Sequence, residues 1–175
     1  MNSTPPVLNI KRLTINLHPQ EARASFLSSF LPNVSAMADV IRAQNAAAND
    51  VPEGLLYDPD TGLYRANNPF GDKEFKWSEA IQACKDLKQI EGFTPFRAAT
   101  LKELFAMTDH TRHHPAVDPD KYPDIKSAWY WSADYDIQSP SDNAWSVAFG
   151  YGGAVRYDQN HRGRVVAVCS RVSSQ

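Results

Sequence analysis

Apolar and polar positions alternate from Lys11 to Leu17. Leu13, Ile15 and Leu17 fall on one side and Arg12, Thr14 and Asn16 on the other, which predicts a half-buried strand within residues 7–17. Pro19 and Glu21 then suit a first helical turn, and Ala22, Phe26 and Phe30 recur at four-residue spacing, predicting a helix to about Leu31. Pro32 interrupts it, and Val34, Met37, Val40, Ile41 and Gln44 resume a helical period up to Ala48. A stripe carrying Phe26, Phe30, Met37, Val40 and Ile41 is expected to bury itself against the rest of the chain or a second copy. The turn-rich cluster Asn49 to Gly54 marks a boundary: residues 1–50 form an N-terminal strand and helical extension, and residues 51–175 form the main body.

In the body, short apolar runs alternate with turn signals. Leu55 to Tyr57 and Leu63-Tyr64 flank Asp58-Pro-Asp-Thr-Gly62, a composition suited to a tight turn between two strands. Trp77, Ala80, Ile81, Cys84, Leu87 and Ile90 share one helical face, predicting a helix over 78–91 with Ser78 as N-cap and Gly92 as the stop. Thr100 and Glu103 have capping-box spacing ahead of Leu104, Phe105 and Met107, predicting a second helix over 100–108. From Asp109 to Lys126 the chain is polar and broken by Pro115, Pro119 and Pro123, which reads as a long surface loop. Ala128 to Trp131, Ala144 to Phe149, Ala154 to Tyr157 and Arg164 to Val172 are strand candidates, with a polar loop over 134–143 and a glycine turn at Gly150 to Gly153. Two helices followed by antiparallel strands make an α+β order, not βαβ repetition.

Composition adds bounds more than identity. Eighteen basic and twenty acidic residues leave a formal net charge of -2, so nothing directs the chain to nucleic acid or an anionic membrane. No long apolar window predicts a membrane span, and the opening Met1 to Pro6 lacks a signal-peptide pattern, so a cytoplasmic or virion location is expected. With two cysteines the chain has too few thiols for a disulfide scaffold or a four-thiolate zinc site.

Chemistry-bearing motifs are sparse. Asp109-His110-Thr-Arg-His113-His114 concentrates imidazoles, but on irregular chain and without HExxH-type spacing, so no metal is expected there. Ser132, Ser146 and Ser170 lack a nucleophile elbow, Cys84 and Cys169 sit in apolar surroundings, and Gly150 to Gly153 does not match a phosphate loop. The chain is therefore read as a non-enzyme without a cofactor. Its aromatics, by contrast, crowd the last 50 residues, where exposed Tyr and Trp suit a binding surface.

The ordered blocks Thr61-Gly-Leu-Tyr64, Trp77-Ser-Glu-Ala-Ile81 with Cys84, Phe96-Arg-Ala-Ala-Thr-Leu-Lys-Glu-Leu104, Tyr130-Trp-Ser-Ala133, Ala144-Trp-Ser-Val147 and Val168-Cys-Ser-Arg171 resemble the collagen-like-adhesin C-terminal (Lcl) domain family. That family is similar in fold to C-type lectins and formylglycine-generating enzymes. The chain departs from it at Phe96-Arg-Ala-Ala-Thr100, where the family has Trp-Arg-Leu-Pro-Thr, and at Ala167-Val-Cys169, where the family has Val-Arg-Cys. It also lacks the Glu-Pro-Asn and Trp-Asn-Asp calcium motifs of sugar-binding C-type lectins. The resemblance implies a C-type-lectin-like scaffold in which Cys84 and Cys169 form a structural pair. If oxidised, the pair would close a loop of about 85 residues, worth about 4 kcal/mol in the chain-entropy model.

The resemblance implies a binding module. The expected partner is a protein, with a carbohydrate-binding adhesin as the alternative. Small lectin-like proteins of phages and prophages, which recognise receptors or host factors, are an analogy. The recognition surface is expected on the loops over 110–126 and 134–143 and on the hairpin over 150–164, with Tyr135, Tyr151, Arg156, Tyr157 and Arg162 as binding residues. Trp131 and Trp145 are expected in the core, because they match the family's strand positions.

Overall fold

The computed structural model describes residues 50–172, and Asp39 of the stretch before them. The strand and helices expected within residues 7–48 lie outside that description. The described body is α+β, with two helices and two four-stranded sheets. None of its helices is long and apolar enough to cross a membrane.

The first hairpin forms as the turn chemistry requires. β1 (Leu55–Asp58) pairs antiparallel with β2 (Leu63–Ala66). The Asp58 carboxylate accepts from the Asp60 amide at 3.0 Å and the Thr61 hydroxyl at 2.8 Å, and Gly62 closes the turn at φ 71°.

Helix α1 (Trp77–Lys85) starts one residue before the expected span and ends six residues short of it. Lys76, not Ser78, is its N-cap residue, and Glu79 reaches back to accept the Lys76 N–H at 3.1 Å. Leu87 and Ile90 still pack on the core, but from irregular backbone past Asp86, so their apolar spacing reports burial and not helix. Helix α2 (Leu101–Ala106) follows the two-residue strand β3 (Arg97–Ala98) and carries the predicted capping box. Thr100 Oγ1 accepts from the Glu103 amide at 3.3 Å, and Glu103 accepts the Thr100 N–H at 2.8 Å. Arg97 grips both Glu103 oxygens at 2.7 Å, which holds that carboxyl below its usual range.

β4 (Trp129–Tyr135), β5 (Asn143–Ala148) and β6 (Gly153–Asp158) form an antiparallel meander. The single strand expected over 164–172 is instead two. β7 (Arg164–Val165) lies parallel to β4, and β8 (Ala167–Cys169) inserts between β2 and β3 in the other sheet. Val166, buried between them, is where the chain changes sheets, and its carbonyl accepts the Ala99 N–H at 2.9 Å. The sheet orders are thus β1-β2-β8-β3 and β6-β5-β4-β7, with one parallel pair among antiparallel neighbours.

The stretch 109–126 is irregular, as expected, but it is not only surface. Ala116, Val117, Tyr122 and Ile125 are buried in it, because its turns are anchored inward. Tyr122 donates to Asp58 at 2.9 Å, and the fully buried Arg65 meets Asp124 at 3.0 Å beneath the Tyr122 ring.

The apolar interior has two parts. One gathers Leu55, Tyr64, Phe75, Ala80, Phe93 and Trp131 with both cysteines; the other gathers Leu104, Met107, Val117, Tyr130, Val147 and Phe149. Trp131 is 2% exposed and donates its indole N–H to the Phe75 carbonyl at 2.9 Å. Trp145 corrects the core expectation. It is half-buried on the same face of β5 as Val147, with the Arg156 guanidinium 5.9 Å from its ring where Val147 has core neighbours. Cys84 and Cys169 are buried free thiols in one cluster, and burial pushes them up to about 12 and about 11.

Two outcomes follow. Trp131→Ala should cost about 3–5 kcal/mol in chemical denaturation, and Trp145→Ala only about 1–2 kcal/mol. The thiols should resist a disulfide reagent at pH 8 in the native protein and react fully once it is unfolded. Because the unfolded thiols ionise first, their contribution to stability is present below about pH 9 and is lost as pH rises toward about 11 for Cys169 and about 12 for Cys84.

Candidate functional site

Cross-strand register builds a notch beside two tryptophans. Trp129 opposes Ala148, which opposes Gly153; Trp131 opposes Ser146, which opposes Val155. Large rings on β4 thus face small side chains on β5, and register partners share a face of the sheet. Past β6 the chain turns at Asp158, whose carboxylate accepts the Asn160 N–H at 2.8 Å and so sits below its usual range. The chain then returns to β7 on the far side of β4, passing Gly163 close over Trp131.

Gly163 permits that approach. A Cβ there would sit 3.1 Å from Trp131 Nε1 and 3.2 Å from the Trp129 carbonyl. Gly163 also exchanges two backbone hydrogen bonds with Phe75, at 2.8 and 3.0 Å. The result is a cleft of about 100 Å³ between sheet and crossing chain, walled by Trp129 and Tyr157, floored by Trp131, Ser146 and Gly163, and rimmed by His161 and Arg162.

The rings form a chain. Tyr151 meets Trp129 at 6.1 Å, Trp129 meets Tyr157 at 4.8 Å in an edge-on pair, and Tyr157 meets His161 at 5.0 Å. Gly153 leaves room for Tyr151, whose ring occupies the space a Cβ would need. Inside the cleft the polar atoms are spent: Ser146 donates to the Val155 carbonyl at 3.1 Å and Trp131 to Phe75. At the mouth they are not. Among the described residues the Trp129 indole N–H and the Tyr157 hydroxyl have no hydrogen-bond partner, and Arg162 makes one long contact, 3.3 Å, to the Glu74 carbonyl. The cleft is lined by one cation and no carboxylate.

The family model for the Lcl C-terminal domain matches residues 54–169, which span all the strands and both helices just described. The chain belongs to the Lcl C-terminal domain family. A search of the curated proteins found no match, and neither did a search of the solved structures.

In this Lcl domain the five expected binding residues do not form one patch. Tyr157 and Arg162 line the cleft, and Tyr151 joins it through Trp129. Arg156 sits one residue along β6 from Tyr157 and so points to the opposite face, where it bridges the buried Asp136 at 3.1 Å and Gln138 at 3.2 Å and covers Trp145. Tyr135 is 52% exposed beside the highly exposed Ile137, but it does not line the cleft. Trp129 and His161 were not singled out from sequence. Trp129 belongs to the aromatic crowding of the last 50 residues, but the small residues opposite it, which make it a wall of the cleft, come from another strand.

The histidine loop is committed to its own turns. Asp109 accepts from the Thr111 amide and hydroxyl at 2.9 and 2.6 Å and from Arg112 at 3.1 Å, which lowers its carboxyl. His110 packs on Phe105, and His113 on His114. Among the described residues no group of three or more His, Cys, Asp or Glu is placed to hold a metal ion. Two roomier depressions, of about 370 Å³ beside His113 and about 600 Å³ along α1, lie open to solvent.

Gly163→Ala should destabilise the domain by about 1–3 kcal/mol in urea, since the added methyl must displace Trp131 or the crossing chain. An unchanged midpoint would mean that the crossing is loose.

Proposed function

We propose that this Lcl domain is a non-enzymatic binding module on a lectin-like scaffold, and that it grips a protein partner at the aromatic cleft of the second sheet. The observation that carries this reading is the cleft itself: a run of rings on the second sheet and the chain crossing it, with donors at its mouth that have no partner among the described residues. Its size points to a macromolecule. Sites for free small molecules occupy about 300–1,000 Å³. A cleft of about 100 Å³ takes one side group of something larger. Exposed tyrosine and arginine around such a pocket are the residue types that dominate binding energy in protein interfaces. The two thiols are buried and pushed up, so neither supports nucleophilic chemistry.

The test compares capture of proteins from a cell lysate by the wild-type chain and by Tyr157→Ala, Arg162→Ala and Arg156→Ala. A partner should be lost from the first two variants, each costing about 2 kcal/mol or more of affinity with an unchanged melting temperature, and kept by the third. A glycan array that lights up with the wild type and fades with Tyr157→Ala would replace the protein by a carbohydrate. Binding that depends on Arg156 but not on Tyr157 would move the site to the opposite face.

A further inference from the structure

We infer that the cleft takes an apolar side chain of leucine, isoleucine or proline size from its protein partner, and that an acidic residue next to that side chain pairs with Arg162. The inference rests on the binding-module reading and specifies what the module recognises.

Size sets the first half. A cavity of about 150 Å³ holds a benzene ring. The smaller cleft here, roughly 100 Å³, has room for a single compact apolar side chain such as leucine, isoleucine or proline. The interior offers such a group no polar competitor, because the Ser146 hydroxyl and the Trp131 indole are both hydrogen-bonded within the fold. Trp129 and Tyr157, set edge-on at 4.8 Å, present carbon surface from two directions.

The donor inventory at the mouth sets the second half. An indole N–H and a guanidinium only donate; Tyr157 and His161 can do either. What sits against them must supply acceptors, as a peptide carbonyl does for an indole and a carboxylate does for a guanidinium. Arg162 is exposed and pairs with no carboxylate among the described residues, whereas Arg97, Arg112, Arg156, Arg164 and Arg171 each have one. A lysine or arginine in the ligand would find attractive ring faces but would meet Arg162 at the entrance.

The test uses the full chain labelled with ¹⁵N, its four tryptophan indole signals, and three capped dipeptides: acetyl-Leu-Glu-amide, acetyl-Leu-Lys-amide and acetyl-Ala-Glu-amide. The Trp129 signal is assigned by its loss in Trp129→Phe. The Leu-Glu peptide should move the Trp129 indole while leaving Trp77 unmoved. It should bind about threefold or more tightly than the Leu-Lys peptide, and the Ala-Glu peptide should bind more weakly than Leu-Glu. Arg162→Gln, a change at an exposed position, should bring the Glu and Lys peptides to equal affinity. Equal affinity already in the wild type overturns the acidic half, and equal affinity of the Leu and Ala peptides overturns the apolar half. A Trp129 indole that ignores all three peptides but moves with a methyl glycoside overturns the protein ligand and leaves the cleft as the site. If no probe moves it and lysate capture survives Tyr157→Ala, the binding-site reading falls with it.

Discussion

The Phe75 carbonyl holds the body together at the point where its parts would otherwise separate. It accepts the Gly163 N–H at 3.0 Å and the Trp131 indole N–H at 2.9 Å, while the Phe75 amide donates back to Gly163 at 2.8 Å. Phe75 is 5% exposed and Trp131 2%, so water reaches neither ring freely. Leaving one such buried group unpaired costs about 1–3 kcal/mol. Three distant pieces of chain meet there: the approach to α1, the centre of β4, and the crossing that follows β6. A side chain at 163 would push them apart.

That junction also decides how the sheets share the last strand region. With Gly163 fixed on Trp131, the next two residues are delivered beside β4 as β7, and Val166 turns the chain so that Ala167 to Cys169 reach the gap between β2 and β3. One short stretch thereby closes both sheets and lies against both parts of the interior. The cleft is a by-product of the same geometry. Gly163 lies tight on Trp131, and beside that contact Trp129 and Tyr157 from the sheet and His161 and Arg162 from the crossing chain enclose the cleft. Trp131 belongs both to the junction and to the cleft floor, while Trp129, Tyr157, His161 and Arg162 line the cleft without hydrogen-bonding in the junction.

Local chemistry was legible in the sequence, and register was not. The Asp58-to-Gly62 turn and the Thr100–Glu103 capping box are decided by neighbours within four residues, and both formed as read. The limits of α1 were misjudged because Leu87 and Ile90 keep an apolar rhythm that serves burial without a helix. The run from Arg164 to Val172 reads as one strand because nothing in an apolar alternation says which sheet each residue joins. For the site, Tyr157 and Arg162 stood out as surface residue types. Trp129 and His161 gain meaning only once Ala148, Ser146 and Gly153 are known to lie across from the tryptophans. Arg156 stands one residue from Tyr157 and so on the other face of β6, which only its pairing to Asp136 reveals, whereas Trp145 shares its face with the buried Val147 and is half-exposed because its neighbour across the sheet is Arg156.

The central constraint is most directly tested by hydrogen exchange at the junction, followed on the Phe75 and Gly163 amides and the Trp131 indole N–H across increasing denaturant. All three should exchange only through global opening, with one shared free energy that falls steeply with denaturant, while the Trp129 indole at the cleft mouth exchanges fast and without denaturant dependence. Rapid, denaturant-independent exchange at Gly163 or at the Trp131 indole would show that the junction opens locally, and that neither the shared strand nor the cleft depends on it.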